Sequence, residues 1–318
     1  MHDAASRWFQ TRTSAAGDWA VDRLIDAKGD TIVSVVLPAL DEEPTVGVIV
    51  TGVRELAETT GLVDEIVVVD SGSADRTAEV AAAAGAVVHH RDDILPECGS
   101  FAGKGEVLWK ALAVTRGDIL VYVDADLTDF GAHYVTGLLG PLLTDHTVGM
   151  VKAFYDRPLL DVSAAGGGRV TELLARPLLN AYLPHLAGVV QPLAGEYAAR
   201  RALLERLPFA AGYGVETGLL IDAVERFGLD AIAQVDLGER THGHQDTTAL
   251  GRMAATILHT VARRVAPHHH LWPTLTQFTR DAGRVTPHET QIDLPDRPAM
   301  LTIPEYAATR PAPLKPSR

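Results

Sequence analysis

The sequence predicts an α/β protein, a mostly parallel sheet with helices on both faces, and three observations carry that expectation. Short runs of β-formers alternate with stretches whose apolar residues recur at helical spacing as far as residue 155. Each run empties into a polar turn and then a helix, as the strands of βαβ units do. The stretch Gly117 to Asp126 (GDILVYVDAD) ends an unbroken run of β-formers with two carboxylates one residue apart. It reads as a strand buried on both faces that feeds a site at its carboxyl end. Asp124 and Asp126 there either mark the strand's exit or supply hard oxygen ligands for Mg²⁺ or Mn²⁺ beside a phosphate.

In chain order, Trp19, Val21, Leu24 and Ile25 form one stripe, a short helix begun by Asp18 and closed by Gly29. Thr31 to Leu37 (TIVSVVL) is the first strand; after the turn Pro38 to Glu43, Val46, Ile49, Val53 and Leu56 mark a helix. The second strand, Glu65 to Asp70, runs into Ser71 to Thr77 (SGSADRT) and an Ala-rich helix ending at Gly85. Its glycines lack the G-x-G-x-x-G spacing, so a dinucleotide fingerprint is absent. Asp70 either accepts hydrogen bonds from a base or ribose or serves its own turn. Val87-Val88 is a short third strand, and Gly103-Lys104-Gly105 opens a helix whose Val107, Leu108, Ala111 and Leu112 face inward. That puts Lys104 at an amino-terminal end suited to anions. Val135, Leu138, Leu139 and Leu142 mark a further helix, and Gly149 to Tyr155 a further strand.

The totals bound the function. The 318 residues, 47% of them hydrophobic, suffice for one large α/β domain with an annex or for two domains. Acidic residues outnumber Lys and Arg by 41 to 28, a net charge of −13. Nucleic acid and anionic lipid repel such a surface, so an anionic ligand must meet a local basic cluster. The single Cys98 forms no internal disulfide, no apolar run reaches the roughly 18 residues of a membrane span, and Met1-His2-Asp3 is no signal-peptide start. The expectation is a soluble, cytoplasmic protein with neither nucleic acid nor membrane as partner.

Beyond residue 155 the character changes. Ala164 to Thr171 (AAGGGRVT) is a glycine-rich loop leading into a helix with Leu173, Leu174 and Leu178. Bare amides, an arginine and a hydroxyl at a helix start form an anion cradle, a better use of Arg169 and Thr171 than a linker. Gln191 to Tyr197 (QPLAGEY) turns into a strand. Gly212 to Glu216 (GYGVE) enters a helix, where Glu216 either complements the dipole or faces sugar hydroxyls. Ile232 to Leu237 is another strand, and alternation past its end puts Arg240, His242 and His244 on one face. There an arginine can neutralise phosphate while an imidazole completes a metal shell begun by Asp126. His268-His269-His270 reads as an exposed loop, Leu250, Met253, Ile257 and Val261 as a helix stripe facing core or partner, and the chain from Asp281 as an extended arm.

Taken jointly, Leu37-Pro38-Ala39-Leu40-x-Glu42-Glu43, Asp70-Ser71-Gly72-Ser73-x-Asp75-x-Thr77, Lys104, Asp124-x-Asp126, Gly167 to Glu172, Gln191 to Ala198, Gly212 to Glu216 and Arg240-x-His242 form one set. In that set the chain resembles the glucosyl-3-phosphoglycerate synthases, retaining glycosyltransferases of actinobacteria with the GT-A fold. The resemblance spans roughly residues 18 to 300. It implies a Rossmann-like nucleotide-sugar-binding half over 1–155, an acceptor-binding half over 156–280 and a C-terminal arm over 281–318. It implies transfer of glucose from UDP-glucose to the 2-hydroxyl of 3-phosphoglycerate with Mg²⁺ or Mn²⁺, in a homodimer; relatives in the wider group use GDP-mannose.

Residue by residue, the resemblance implies that Pro38, Leu40, Glu42, Ser71 and Lys104 hold the UDP part. Asp124 and Asp126 lie at ribose and metal, His242 is a further metal ligand, and Arg240 lies near the diphosphate. Gly168, Arg169, Thr171 and His244 face the acceptor, while Leu193 through its backbone and Glu216 through its side chain touch the glucose. Glu216 as a nucleophile in a two-step route ranks behind that role. The chain departs from the family pattern at Asp41 and at His244, where the family has Asn. Two other classes fit less well. A sugar-1-phosphate nucleotidyltransferase carries a glycine-rich, lysine-bearing loop after its first strand, and Pro38 to Glu43 has none. A regulatory nucleotide-binding module has no use for Gly168, Arg169 and Thr171 opposite a metal.

Overall fold

The structure, a computed structural model, describes residues 1–156, 168–240, 246–281 and 283–309. Helix α1 (Asp3–Arg12), strand β1 (Thr13–Ala15) and helix α2 (Val21–Lys28) lead into β2 (Val33–Ala39). Then follow α3 (Glu43–Thr60), β3 (Glu65–Asp70), α4 (Thr77–Ala84), β4 (Val87–His90), α5 (Lys104–Val114), β5 (Ile119–Tyr122), α6 (His133–Thr144) and β6 (Met150–Asp156). The second part runs α7 (Arg176–Tyr182), β7 (Tyr197–Arg200), α8 (Arg201–Leu204), β8 (Phe209–Ala210), α9 (Val215–Phe227), β9 (Ile232–Glu239) and α10 (Thr247–Val265). It closes with β10 (Thr274–Asp281), β11 (Arg284–Gln291), β12 (Asp296–Arg297) and α11 (Pro304–Ala307).

Eight strands form one sheet in the order β1-β9-β6-β7-β5-β2-β3-β4. All run parallel except β7, which is antiparallel to both β5 and β6. The central strands are apolar on both faces because both are covered. Val36, Val67, Leu120 and Tyr122 join the cluster beneath α5 and α9, while Val35, Leu37, Val68 and Val121 join the one beneath α3 and α6. The side chains of β5 are all fully buried. At about 1.5–3 kcal/mol for a large apolar side chain, that burial outweighs the ~1–2 kcal/mol per residue that backbone ordering costs. The strand therefore needs no polar residue until it leaves the sheet at Asp124.

Helix ends follow local chemistry. Gly61 at φ 67° ends α3 and donates its N–H to Ala57 O, and Gly85 does the same for α4. Asp18 does not cap α2 as expected. Its carboxylate accepts the Ala15 N–H at 2.8 Å, and Ala20 precedes the helix. The sequence reading also missed α1 and β1, which extend the sheet edge beside β9; the Trp8 indole donates to Ile232 O at 2.8 Å.

The arm expected from Asp281 is instead a hairpin, β10 with β11, after which the chain returns and pairs β12 with β8. Arg297 anchors that return. Its guanidinium meets the buried Glu106 carboxylate at 2.6 and 2.7 Å and lies over the Phe101 ring. The His268 to His270 turn is exposed, as expected. Among the described residues no helix is long and apolar enough to cross a membrane.

Candidate active site

Parallel strands discharge their chains at one edge of the sheet, where backbone and side chains are released from the ladder. There β2 delivers Pro38, Leu40 and Glu42, β3 delivers Ser71, β5 delivers Asp124 and Asp126, and β9 delivers Arg240. The amino termini of α5 and α9 add Lys104 and Glu216, and the helical stretch before α7 adds Gly168, Arg169 and Thr171. With Leu193, these residues line a single cleft of about 1270 Å³. Every expected site residue within the described part of the chain faces that cleft; His242 and His244 lie outside the described residues.

Because β7 runs opposite to its neighbours, its entry end meets their exits, bringing Gly195 and Glu196 to the same edge. A Cβ on Gly195 would collide with the Asp124 carboxylate and the Lys104 ammonium, so any larger residue must displace both side chains. Sequence reading missed Glu196 and Tyr155 as parts of the site. Glu196, fully buried, accepts the Tyr155 hydroxyl at 2.8 Å and lies 2.8 Å from Arg240. A carboxylate one residue ahead of a strand carries no local mark of its role; only the reversed direction of β7 gives it one.

A chain of opposite charges forms the floor. Arg240, 4% exposed, donates Nη2 to Asp126 Oδ1 at 2.9 Å and Nη1 to the Tyr155 hydroxyl at 2.8 Å. The same Nη1 is 3.5 Å from Asp124 Oδ2. Lys104 pairs with Asp124 and lies 3.0 Å from Glu216 Oε1. Burial opposes the charge on Lys104, but the carboxylates of Asp124 and Glu216 more than offset it and hold the ammonium above its usual range. Burial likewise opposes the Arg240 charge, and Glu196 leads the carboxylates that raise it. Burial pushes Glu196 up, with Arg240 pulling against it. Glu42 is pushed up to about 7, first by burial and then by the charge of Asp126.

The turns beside the cleft explain part of the motif set. Asp70 turns its carboxylate back onto the Gly72 N–H at 3.1 Å and the Ser73 N–H at 3.2 Å, so it serves its own turn. Ser73, Asp75 and Thr77 accept the N–H groups of Asp41, Glu43 and Glu42 at 2.9, 3.1 and 2.8 Å, latching the β3 exit to the β2 exit. Asp41 sits at φ 58°, a conformation Asp and Asn tolerate, and its Oδ1 accepts the Ala74 N–H at 2.7 Å. An amide oxygen can accept that bond too, which accounts for either residue at this position.

Asp124 and Asp126 offer hard carboxylate oxygens, a donor set that suits Mg²⁺ or Mn²⁺; the Asp126 side chain is 52% exposed toward the cleft. Among the described residues no three His, Cys, Asp or Glu side chains complete a metal nest by themselves.

The family described as Glycosyl transferase family 2 matches residues 34–164. The glucosyl-3-phosphoglycerate synthase of Mycolicibacterium smegmatis is 50% identical over 301 residues, covering 93% of this chain and 98% of that one. The crystal structure of glucosyl-3-phosphoglycerate synthase from Mycobacterium tuberculosis in complex with Mn²⁺, UDP-glucose and phosphoglyceric acid superposes with a TM-score of 0.82 at 47% identity, covering 90% of this chain and 95% of that one. Mannosyl-3-phosphoglycerate synthase from Rubrobacter xylanophilus superposes with a TM-score of 0.88 at 40% identity, covering 94% and 99%. With half its residues shared along nearly the full length of the first of these relatives, the chain belongs to the glucosyl-3-phosphoglycerate synthase family of glycosyltransferases.

Proposed function

We propose that the chain transfers glucose from UDP-glucose to the 2-hydroxyl of 3-phosphoglycerate, keeping the configuration at the anomeric carbon. The observation that carries this reading is the charge chain Asp126, Arg240, Asp124, Lys104, Glu216 along the floor of a cleft that Arg169 and Thr171 also line. A nucleoside diphosphate needs cations and hydrogen-bond donors at its phosphates, a sugar needs carboxylates for its hydroxyls, and a phosphorylated acid needs a second basic cradle.

In this reading Pro38, Leu40, Glu42 and Ser71 hold the uridine, Asp124 the ribose, and Leu193 and Glu216 the glucose. Gly168, Arg169, Thr171 and His244 hold the acceptor. Asp126 and His242 hold a divalent cation, which when bound supplies charge neutralisation at the departing diphosphate. Arg240 and Lys104, locked by their buried partners, are oriented before the donor arrives and need no reorganisation as charge develops. The bond from the anomeric carbon to the diphosphate oxygen breaks, the bond to the acceptor 2-oxygen forms on the same face, and the hydroxyl proton passes to a donor phosphate oxygen. Glu216 stays engaged with Lys104 at 3.0 Å, which favours hydroxyl binding over a covalent two-step route.

We assign nucleotide-sugar binding to residues 1–155 and acceptor binding to 156–280. Cys98 as the single cysteine fits a reducing cytoplasm. The exposed hairpin β10–β11, with Phe278 and Val285 open to solvent, fits a homodimer.

The likeness to a mannosyl-3-phosphoglycerate synthase favours a second reading, GDP-mannose as donor. A panel of nucleotide sugars incubated with 3-phosphoglycerate and Mn²⁺, read by product mass and released nucleotide, separates the two. UDP-glucose is expected to turn over fastest, and faster turnover of GDP-mannose would replace the first reading with the second.

A further inference from the structure

The floor of the cleft at Leu193 and Gly195 belongs to residues 187–196, which form neither helix nor strand. Such a segment has no ladder of its own; besides isolated backbone bonds such as Ala194 N–H to Gln191 O and Ala153 N–H to Glu196 O, it is fixed by side chains packed against it. Two of those side chains, Gln234 and Lys152, lie in one register row across the sheet: Thr13 on β1, Gln234 on β9, Lys152 on β6, Tyr197 on β7 and Tyr122 on β5. Gln234 accepts the Val190 N–H at 3.0 Å and donates to Gly188 O at 3.2 Å and to the Thr13 hydroxyl at 2.9 Å. Lys152 donates to Ala194 O at 2.5 Å. Its ammonium lies 5.2 Å from the centre of the Tyr197 ring, which stacks on Tyr122 with centroids 4.7 Å apart.

Lys152 is the anomaly in this row. It is 1% exposed, and the oxygen it meets is a backbone carbonyl rather than a carboxylate. Burial pushes the ammonium down to about 8, a sign that the site holds the charge at some cost to stability. A position needing only packing is better filled by methionine or leucine. What the charge supplies is a fixed Ala194 carbonyl, the link between Leu193 and the glycine that abuts Asp124 and Lys104.

We propose that Lys152 is a positioning residue for the sugar end of the cleft: its buried ammonium pins Ala194 so that Leu193 and Gly195 form the surface on which the donor hexose rests. Lys152 touches no substrate and acts through the turn above it. The proposal rests on the UDP-glucose reading given above.

The test is Lys152→Met in the full chain, with Lys152→Gln as a second variant. Thermal unfolding and calorimetric titration with UDP and with UDP-glucose, both in Mn²⁺, are measured beside the wild-type protein. The expected result is a melting temperature no lower than wild type and UDP affinity within about twofold. The ratio of UDP-glucose to UDP affinity should fall about tenfold, with a matching loss in kcat/KM for UDP-glucose and an unchanged KM for 3-phosphoglycerate. A merely structural lysine would lower stability and weaken both ligands together; that outcome, an unchanged ratio, or failure of both variants to fold overturns the proposal. Wild-type protein that neither binds nor uses UDP-glucose overturns the underlying reading instead, so the two failures are distinguishable.

Discussion

Arg240→Met isolates the contact on which the site's preorganisation depends. In the native protein the guanidinium serves Asp126 at 2.9 Å, Glu196 at 2.8 Å and the Tyr155 hydroxyl at 2.8 Å. The Asp126 side chain is half exposed, so its lost pair is screened by water and contributes at most about 1 kcal/mol. Glu196 is fully buried and would keep the Tyr155 hydroxyl and the longer-range charge of Lys104, but no ion-pair partner at contact distance among the described residues. An orphaned buried charge costs about 3–5 kcal/mol, so Glu196 dominates the loss. Introducing Glu196→Gln into the same chain removes the orphaned charge, and the double variant should be less destabilised than the sum of the singles by about 2 kcal/mol. Urea unfolding of the four proteins at neutral pH gives that coupling directly. Uridine diphosphate release should be lost in all three variants. Additivity to within about 0.5 kcal/mol would refute the claim that Arg240 and Glu196 act as one buried unit.

Three further outcomes follow from the same geometry. Asp126→Asn should weaken Mn²⁺ binding at least tenfold, read by the electron paramagnetic resonance signal of the free ion, while the unfolding midpoint stays close to wild type; unchanged Mn²⁺ affinity would remove Asp126 from the metal site. Gly195→Ala should abolish transfer and retain the far-ultraviolet circular dichroism spectrum, because the added methyl collides with the Asp124 carboxylate and the Lys104 ammonium. Lys152 should leave a signature in stability against pH. Its pKa is about 8 in the fold and about 10.4 when unfolded, so the unfolded chain binds more protons between those values and stability rises with pH there. The ceiling of that gain is about 3 kcal/mol, and Lys152→Met should remove it from urea unfolding curves taken between about pH 8 and pH 10.

Much of the fold was legible because each layer of the sheet writes itself locally. The run Glu65 to Asp70 and the stripe Val46, Ile49, Val53, Leu56 each carry one period, and both became the expected elements, β3 and α3. The edge strand β1 was not legible, since three residues of mixed polarity, Thr13 to Ala15, bury too little surface to show a pattern. The hairpin β10–β11 was missed for the opposite reason. Its residues are mostly polar and exposed, so its strands lack the one-sided apolar alternation that marks a core sheet.

At the site, residues that leave the sheet with a charge were readable: Asp124, Asp126 and Arg240 stand at strand exits, and Lys104 and Glu216 at helix starts. Residues whose role arises from tertiary pairing were not. Glu196 gains its function from the reversal of β7, and Lys152 from a register row that joins five strands far apart in sequence. Motif membership was also a poor guide to role. Of the run Asp70 to Thr77, Ser71 lines the cleft, whereas Ser73, Asp75 and Thr77 latch the neighbouring turn.

The central claim is that this cleft moves a hexose from a departing uridine diphosphate to the acceptor hydroxyl on the same face of the sugar. Proton magnetic resonance of the product's anomeric position, followed from UDP-α-glucose with 3-phosphoglycerate and Mn²⁺, tests it most directly. An α-anomeric signal should grow in step with free uridine diphosphate and only when 3-phosphoglycerate is present. A β-anomeric product, or diphosphate release at the same rate without the glycerate, would contradict it.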